Sequence, residues 1–368
     1  MTGASRLAFL DNVKVAMIVA VIVGHTLVAW SGFGSWYLYE PKLPEPLLTV
    51  AVLVLLVGAL CAMPILFLVA GRLTPASWAR KGTRRFVGDR VVRLGVPLLA
   101  FAWLASPLLE WVDPENHAAR ARGFARFTSD LLWPLVPGPA WFLEVLLVLS
   151  IGYALARSAV SARLPGSLAL RHRHLVVAAT MVAVGSTLVR LWVPLGEERA
   201  HLALGQAPAW VVLFVLGVLG AERGWWESVP VALVRVWALL AVAGALTAVT
   251  LGLVFGADSP ELIAGGPHWP AALLALSEGL VAVGASVAVI ELFKHRFAGQ
   301  RRLGRMMAPA AYGAFLVHPL VLVGLILLAR QVEMWTELRF AVVAALAVVG
   351  SFVIASLLRR VPGVRRVI

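Results

Sequence analysis

Charged residues are scarce in this sequence, and long apolar runs take their place. Lys, Arg, Asp and Glu together make up only 14% of the 368 residues, whereas 61% of the residues are hydrophobic. The mean hydropathy is +0.89, which lies far above that of an ordinary soluble domain. This composition excludes a soluble globular protein and predicts an integral membrane protein.

Cysteine is nearly absent as well. Cys61 is the only one, so no disulfide can form within the chain. The sequence also lacks a GxSxG nucleophile elbow, a phosphate-binding P-loop and an HExxH zinc motif. The segment RHRH at 171–174 has two histidines but no acidic neighbour, and we therefore expect no metal site.

Ten apolar stretches are long enough to cross ~30 Å of hydrocarbon as helices. Their approximate bounds are 9–30, 48–70, 94–111, 139–156, 175–193, 207–222, 233–255, 271–292, 309–329 and 339–358. If the N-terminus is inside, the inner connecting segments carry 23 Lys and Arg and the outer ones carry seven. This asymmetry follows the positive-inside rule. It predicts an all-α integral membrane protein of about ten transmembrane helices with both termini cytoplasmic.

The same asymmetry accounts for most of the net charge of +13, so no nucleic-acid partner is needed to explain it. We find no inverted repeat of the kind that builds two-fold transporters, and we interpret 1–368 as a single transmembrane domain. The longest outer segment, 112–138, contains Asp113, Glu115 and Asp130. That segment is a candidate to fold over the entrance of a functional site.

The first predicted span contains a cation and an imidazole. Lys14 and His25 are eleven residues apart, which places them on one face of a helix and about 16 Å from each other. Snorkelling to the inner headgroups would explain Lys14 alone. His25 lies too deep for that, so it is a candidate site residue, and a packed neutral histidine is the alternative.

Basic residues cluster before the third predicted span, in RKGTRRFVGDRVVRLGVP. Arg90 and Arg93 are one helical turn apart, and a helix that begins near Gly88 or Asp89 would add free backbone N–H groups. Paired guanidinium groups suit bidentate contacts with phosphate. Membrane topology and contact with anionic lipids are the simpler explanation.

A few further polar residues fall within predicted spans: Glu144, Arg190, Glu278 and His318. Residues near span ends, such as Glu144 and Arg190, are often held by the interface, and His318 before Pro319 is also typical of a simple kink. Two midspan histidines with a carboxylate at similar depth nevertheless suit proton transfer in a dry cavity.

Several stretches together resemble the acyltransferase-3 family of integral membrane acyltransferases, which includes bacterial O-acetylases and glucan-modifying enzymes. The matching stretches are FLDNVKVAMIVAVIVGH with Lys14 and His25, MPILFLVAGR, RFVGDRVVRLGVPLL with Arg90 and Arg93, AWFLEVLLVLS with Glu144, and AYGAFLVHPLVL with His318. The resemblance runs over nearly the whole chain. The sequence departs from the family pattern at Ala70, Arg72 and Phe315, where Ser, an aromatic residue and Tyr are common.

The resemblance implies an acyl-CoA donor, most simply acetyl-CoA, on the cytoplasmic side of a bacterial inner membrane. It also implies an acceptor hydroxyl on a glycan, a lipid-linked sugar or a small metabolite. Placed beside the residues, it suggests that Arg90, Arg93 and Lys14 bind the CoA phosphates. His25 would act as general base or form an acyl-histidine, and Glu144 or His318 would orient or stabilise it.

Two other classes of function remain open at this point. A transporter or flippase of an anionic or lipid-linked solute would use the same His and Glu residues to relay protons. An inactive family member could serve as a membrane scaffold that binds a partner. Binding and slow hydrolysis of acyl-CoA by the purified protein distinguish an acyltransferase from a transporter. An unchanged cellular phenotype of a His25→Ala chromosomal variant would indicate a scaffold.

Overall fold

The computed structural model describes residues 5–112, 137–159, 169–299 and 302–367. Over these ranges the backbone is helical apart from short connections, and it contains no β-strand. The helices are α1 (Ser5–Ser31), α2 (Leu47–Arg90), α3 (Val96–Ala100), α4 (Ser106–Trp111), α5 (Trp141–Ala159), α6 (His172–Arg190), α7 (Ala207–Glu222), α8 (Val231–Phe255), α9 (Glu261–Ala264), α10 (Trp269–Arg296), α11 (Arg302–Met307), α12 (Ala311–Ala329), α13 (Thr336–Leu358) and α14 (Val364–Val367). Asp113, Glu115 and Asp130, in the segment that is a candidate to fold over the entrance of a functional site, lie outside the described residues.

Nine helical stretches within the described ranges are long and apolar enough to cross a membrane, and the predicted all-α membrane fold is confirmed. One of them, Leu47–Trp111, has 65 residues and contains both predicted spans 48–70 and 94–111. Nine of the ten predicted spans lie wholly within these stretches, and the predicted span 175–193 extends three residues past the end of His172–Arg190. The shortest predicted span, 207–222, lies within the helical stretch Leu204–Glu222. The cytoplasmic location of both termini stays a prediction.

The long stretch is interrupted at one residue inside α2. Gly82 has φ 71° and ψ 167°, a backbone conformation that glycine adopts without the steric cost of a Cβ. The predicted helix start near Gly88 or Asp89 was wrong, because α2 continues through both residues. An interior glycine costs a helix only about 1 kcal/mol relative to alanine, so Gly88 by itself does not end the helix.

Two wider π-helical turns follow α2, at Val91–Gly95 and Phe101–Ala105. Each turn ends two residues before a proline, Pro97 in one case and Pro107 in the other. A proline has no N–H to donate to the carbonyl group four residues earlier, and inserting a wider turn is one way a helix accommodates this. The carbonyl group of Arg93 thereby loses its usual α-helical partner.

The chain divides into two compact units, and the first comprises Met1–Met17, Leu56–Phe86 and Leu149–Gly304. Its buried core surrounds α10, against which α6 and α8 pack. Gly71 and Gly217 let α2 and α7 approach closely, since a Cβ at either glycine would clash with the backbone of the other helix. Arg72 lies over the Phe9 ring, with 5.2 Å from its Cζ to the ring centroid.

The second unit comprises Ile18–Leu55, Val87–Val148 and Arg305–Ile368. Its helices include the C-terminal part of α1, the π-helical turns, the start of α5, and the pair α12 and α13, which pack along each other. Five of the six candidate site residues lie in this unit. The sixth, Lys14, lies in the first unit. The interpretation of the chain as a single domain stays a prediction.

Candidate active site

A pair of histidines in the second unit forms the centre of the site. His25 Nδ1 of α1 lies 2.9 Å from His318 Nε2 of α12. The two ring planes lie within 15° of each other, which is compatible with a hydrogen bond between the two imidazoles. His318 is fully buried, whereas His25 is partly exposed. The structure thus joins two residues that the sequence placed only at comparable depths.

The residue after His318 explains how its ring is held. Pro319 has no N–H, so the Phe315 carbonyl four residues earlier lacks its usual helical donor. His318 Nδ1 lies 2.5 Å from that carbonyl oxygen and donates to it. The proline that suggested only a kink in the sequence therefore also leaves an acceptor free for the histidine.

These contacts assign the protons of the neutral pair. A carbonyl oxygen can only accept, so His318 carries its proton on Nδ1, and its Nε2 has a lone pair. His25 Nδ1 must then donate to His318 Nε2, which leaves the lone pair of His25 on its own Nε2. The partly exposed histidine therefore has a basic, nucleophilic nitrogen, and the buried one fixes its tautomer.

Replacing His318 tests this proton assignment. His318→Phe removes the acceptor for His25 Nδ1–H, and we expect the acyl transfer that the sequence resemblance implies to fall about 10²-fold. His318→Gln keeps an amide oxygen that can accept the same proton, so we expect it to retain clearly more activity than His318→Phe. Rates of thiol release from acetyl-CoA by the purified variants would measure both. Equal rates in the two variants would contradict the assignment.

Trp36 covers one face of the histidine pair. Its ring centroid lies 4.6 Å from that of His25, with an angle of 19° between the planes, and 6.2 Å from that of His318. Trp36 follows the end of the first predicted span, and a tryptophan at that place in a sequence is typical of an anchor at the membrane interface. No local signal could have revealed the stacking, which depends on the loop after α1 folding back over the helix.

A buried carboxylate fixes this loop. The side chain of Glu40 is only 1% exposed and pairs with Arg330 at 2.6 Å and with Arg339 at 3.2 Å. Arg330 also donates to the Tyr39 carbonyl at 2.9 Å. Glu40 was not predicted from the sequence, although the two arginines near the short connection between α12 and α13 were a signal that an acid is nearby.

Glu144 lies in the first turn of α5. Two residues earlier, the ring of Phe142 contacts the ring of Phe315 on α12, with 5.8 Å between centroids. The start of α5 therefore packs beside the part of α12 that carries His318. The predicted role of Glu144 as a stabilising carboxylate stays a prediction.

Arg90 ends α2, and Arg93 lies within the first π-helical turn. Arg93 is exposed, and its Nε donates to the Arg366 carbonyl at 3.4 Å. The Tyr312 hydroxyl of α12 donates to the Arg93 carbonyl at 2.6 Å, and so supplies a donor where Pro97 has none. The predicted phosphate contacts of both arginines stay predictions. The helix start near Gly88 or Asp89, which was expected to add free backbone N–H groups, does not occur because α2 continues to Arg90.

Lys14 and His25 both lie on α1, as predicted, but Lys14 belongs to the first unit. Its Nζ pairs with the Asp11 carboxylate at 2.6 Å, and both side chains are about one third exposed. The neighbouring Asn12 amide donates to the Phe297 carbonyl at 2.8 Å. This part of α1 is thus fixed to the end of α10, and the predicted phosphate contact of Lys14 stays a prediction.

The other two polar residues singled out by the sequence form an ion pair in the first unit. Arg190 Nη2 lies 2.6 Å from Glu278 Oε2, and the two side chains are 1% and 2% exposed. Arg190 Nε also donates to the Gly205 carbonyl at 3.0 Å. Neither side chain is held by the membrane interface, which was the simpler explanation for Arg190.

Comparison with protein families matches residues 7–359 to an acyltransferase domain, the acyltransferase-3 model. Comparisons with curated proteins and with solved structures gave no significant match. The family match covers nearly the whole chain, including both histidines and the apolar helices that carry them. The chain therefore belongs to the acyltransferase-3 family of multi-pass membrane acyltransferases.

Proposed function

We propose that the protein transfers an acyl group, most simply acetyl, from cytoplasmic acyl-CoA to a hydroxyl group. The acceptor would be a glycan, a lipid-linked sugar or a small metabolite, and the membrane would be a bacterial inner membrane. The observation that carries this proposal is the hydrogen bond between His25 and His318, because it leaves a basic nitrogen on a partly exposed histidine in a family of acyltransferases.

In the proposed reaction, His25 Nε2 accepts the proton of the acceptor hydroxyl as the hydroxyl oxygen attacks the thioester carbonyl carbon. A C–O bond forms, and an electron pair of the carbonyl group moves onto its oxygen. When this intermediate collapses, the carbonyl group forms again and the C–S bond breaks. The proton passes from His25 to the leaving thiolate, which gives an ester and free CoA thiol.

His318 acts in this scheme through His25. By accepting from His25 Nδ1–H, it keeps the ring in one orientation and stabilises the imidazolium that forms when His25 takes the proton, as the third member of a triad does. Glu144, in the first turn of α5, is the carboxylate that we propose to stabilise the same positive charge.

The same lone pair could instead attack the thioester carbon and form an acyl-histidine. Incubation with radiolabelled acetyl-CoA without an acceptor, followed by denaturation, distinguishes the two routes. Label that stays on wild-type protein but not on His25→Ala would support the covalent route. The absence of bound label despite turnover would support the general-base route.

Arg90 and Arg93, with Lys14, are the residues that we propose to bind the CoA phosphates. The double variant Arg90→Ala/Arg93→Ala is expected to raise the Kd for acetyl-CoA at least about 10-fold, since hydrogen bonds to charged groups contribute about 1.5–3 kcal/mol each. Titration calorimetry on detergent-purified protein would measure this. His25→Ala should bind with nearly unchanged affinity.

A control with the same loss of charge is Arg360→Ala/Arg365→Ala, which removes two exposed arginines near the C-terminus. We expect this control to change the Kd less than threefold, because long-range attraction between exposed charges is screened by salt. Equal weakening by both double variants would contradict specific phosphate contacts at Arg90 and Arg93.

A further inference from the structure

The indole N–H of Trp36 is a buried hydrogen-bond donor with nothing to donate to. Trp36 is 9% exposed, and its Nε1 has no hydrogen-bond partner among the residues that the structure describes. Buried polar groups in proteins are nearly always hydrogen-bonded, and an exception calls for an explanation. An oxygen atom of a bound ligand would supply the missing acceptor.

The position of Trp36 indicates which ligand oxygen this would be. Its ring lies face to face with His25, at 4.6 Å between centroids and 19° between planes. The N–H of an indole and the lone pair of an imidazole both lie in the planes of their rings. Trp36 Nε1–H therefore cannot donate into the His25 ring beneath it, and it points outward in the plane of its own ring.

A second tryptophan in the same unit shows that burial alone does not make such a site. Trp30 Nε1 is also buried without a hydrogen-bond partner, but the Trp30 ring packs edge-on against Phe340 at 5.9 Å. Trp30 has no described ring contact with the histidine pair. The combination of an unused donor and direct contact with His25 is what distinguishes Trp36.

The loop also holds the indole in one place. The backbone N–H of Trp36 donates to the Tyr39 hydroxyl at 2.9 Å, and that hydroxyl donates to the Gly34 carbonyl at 2.9 Å. Glu40, next in the chain, is fixed by Arg330 and Arg339. A donor that is already oriented needs no rearrangement when charge develops near it, which is the condition for effective electrostatic stabilisation.

We propose that Trp36 is a further catalytic residue, whose Nε1–H donates to the thioester carbonyl oxygen as that oxygen becomes negatively charged. This inference rests on the proposed acyl transfer. The attack of the hydroxyl oxygen places an electron pair on the carbonyl oxygen, and the pair returns to re-form the carbonyl group when the C–S bond breaks. The indole proton stays on nitrogen throughout. An acyl-histidine route would generate the same oxyanion.

Trp36→Phe tests the proposal because it removes the donor and keeps an aromatic ring at this position, and the matched Trp30→Phe variant controls for the smaller ring. Loss of one oxyanion donor typically lowers kcat about 10²–10³-fold. We expect a loss of this size in acetyl-CoA hydrolysis, with KM for acetyl-CoA changed less than about threefold. Trp30→Phe, the matched control, should stay within about twofold of wild type in both constants.

A spectroscopic measurement tests the hydrogen bond itself and does not depend on the folding of Trp36→Phe. Acetyl-CoA labelled with ¹³C at the carbonyl is bound to His25→Ala, which should not consume it, and the isotope-edited infrared spectrum is recorded. We expect the carbonyl stretch to lie at lower frequency than that of free acetyl-CoA, and the shift to disappear in His25→Ala/Trp36→Phe. An unshifted stretch in His25→Ala would overturn the proposal.

The kinetic outcomes separate this inference from the proposed function. If wild-type protein hydrolyses acetyl-CoA and Trp36→Phe does so equally fast, the role of Trp36 is overturned while acyl transfer stands. If folded wild-type protein neither binds nor cleaves acetyl-CoA, the proposed function is overturned and the role of Trp36 with it.

Discussion

Replacing His25 by alanine is expected to lower acyl transfer about 10³-fold or more, with little change in folded yield. The expectation follows from the proton assignment of the histidine pair, because His25 Nε2 is the nitrogen with the available lone pair. General-base catalysis by a positioned side chain typically contributes 10²–10⁴-fold. The rate of thiol release from saturating acetyl-CoA, measured on detergent-purified protein, would give the loss directly.

His295→Ala is a suitable control for this variant. His295 is also in a long helix, α10, but its side chain is 68% exposed, and we expect its loss to leave the rate within about twofold of wild type. His25→Ala should still bind acetyl-CoA, since binding is assigned to the arginines. A rate for His25→Ala within tenfold of wild type would contradict the role of His25 as base or nucleophile.

The second large effect is expected on stability, at the buried ion pair of α6 and α10. Arg190→Met leaves the Glu278 carboxylate in a site that is only 2% exposed. Removing one partner of a buried pair typically costs about 3–5 kcal/mol, because the remaining charge is uncompensated. We therefore expect Arg190→Met to show a strongly lowered thermal unfolding midpoint in detergent and a reduced yield of monodisperse protein.

The double variant Arg190→Met/Glu278→Leu separates the effect of the lone charge from that of lost packing. Replacing both partners of a buried ion pair by apolar side chains is often neutral or stabilising, so the double variant should recover most of the lost stability. Arg199→Met breaks the exposed pair with Glu197 and should change the midpoint little. If the double variant were as unstable as Arg190→Met, the uncompensated charge would not be the cause.

The fold could be predicted from the sequence because the bilayer imposes a simple rule on a spanning chain. Every apolar run of sufficient length must satisfy its backbone hydrogen bonds internally, and a helix does so. Length and hydropathy therefore located the nine helical stretches of the described residues that are apolar and long enough to cross a membrane. Length and hydropathy do not determine where a helix begins, and the predicted helix start near Gly88 was wrong. Whether a glycine interrupts a helix depends on the backbone conformation it takes, and the interruption occurs at Gly82 instead.

The candidate site was predicted in its residues but not in its contacts. His25 and His318 stood out because ionisable residues are rare within spans, yet they are 293 positions apart, and hydropathy says nothing about which helices are neighbours. The same limit applies to Arg190 and Glu278, which were recognised singly and not as a pair.

Trp36 and Glu40 were missed for a different reason. Both lie in the loop after α1, where no helical periodicity relates one residue to the next. Their importance comes from the loop folding onto the histidine pair and being fixed there by Arg330 and Arg339. The role of Pro319 was predictable only in part. Its missing N–H is evident in the sequence, but its effect on His318 is evident only in the structure.

Acyl-CoA-dependent transfer is tested by binding and turnover of acetyl-CoA by wild-type protein in detergent. We expect saturable binding together with slow release of CoA thiol in the absence of an acceptor. We also expect His25→Ala to bind acetyl-CoA without releasing thiol. A correctly folded wild-type protein that neither binds nor cleaves acetyl-CoA or longer acyl-CoAs would contradict acyl-CoA-dependent transfer.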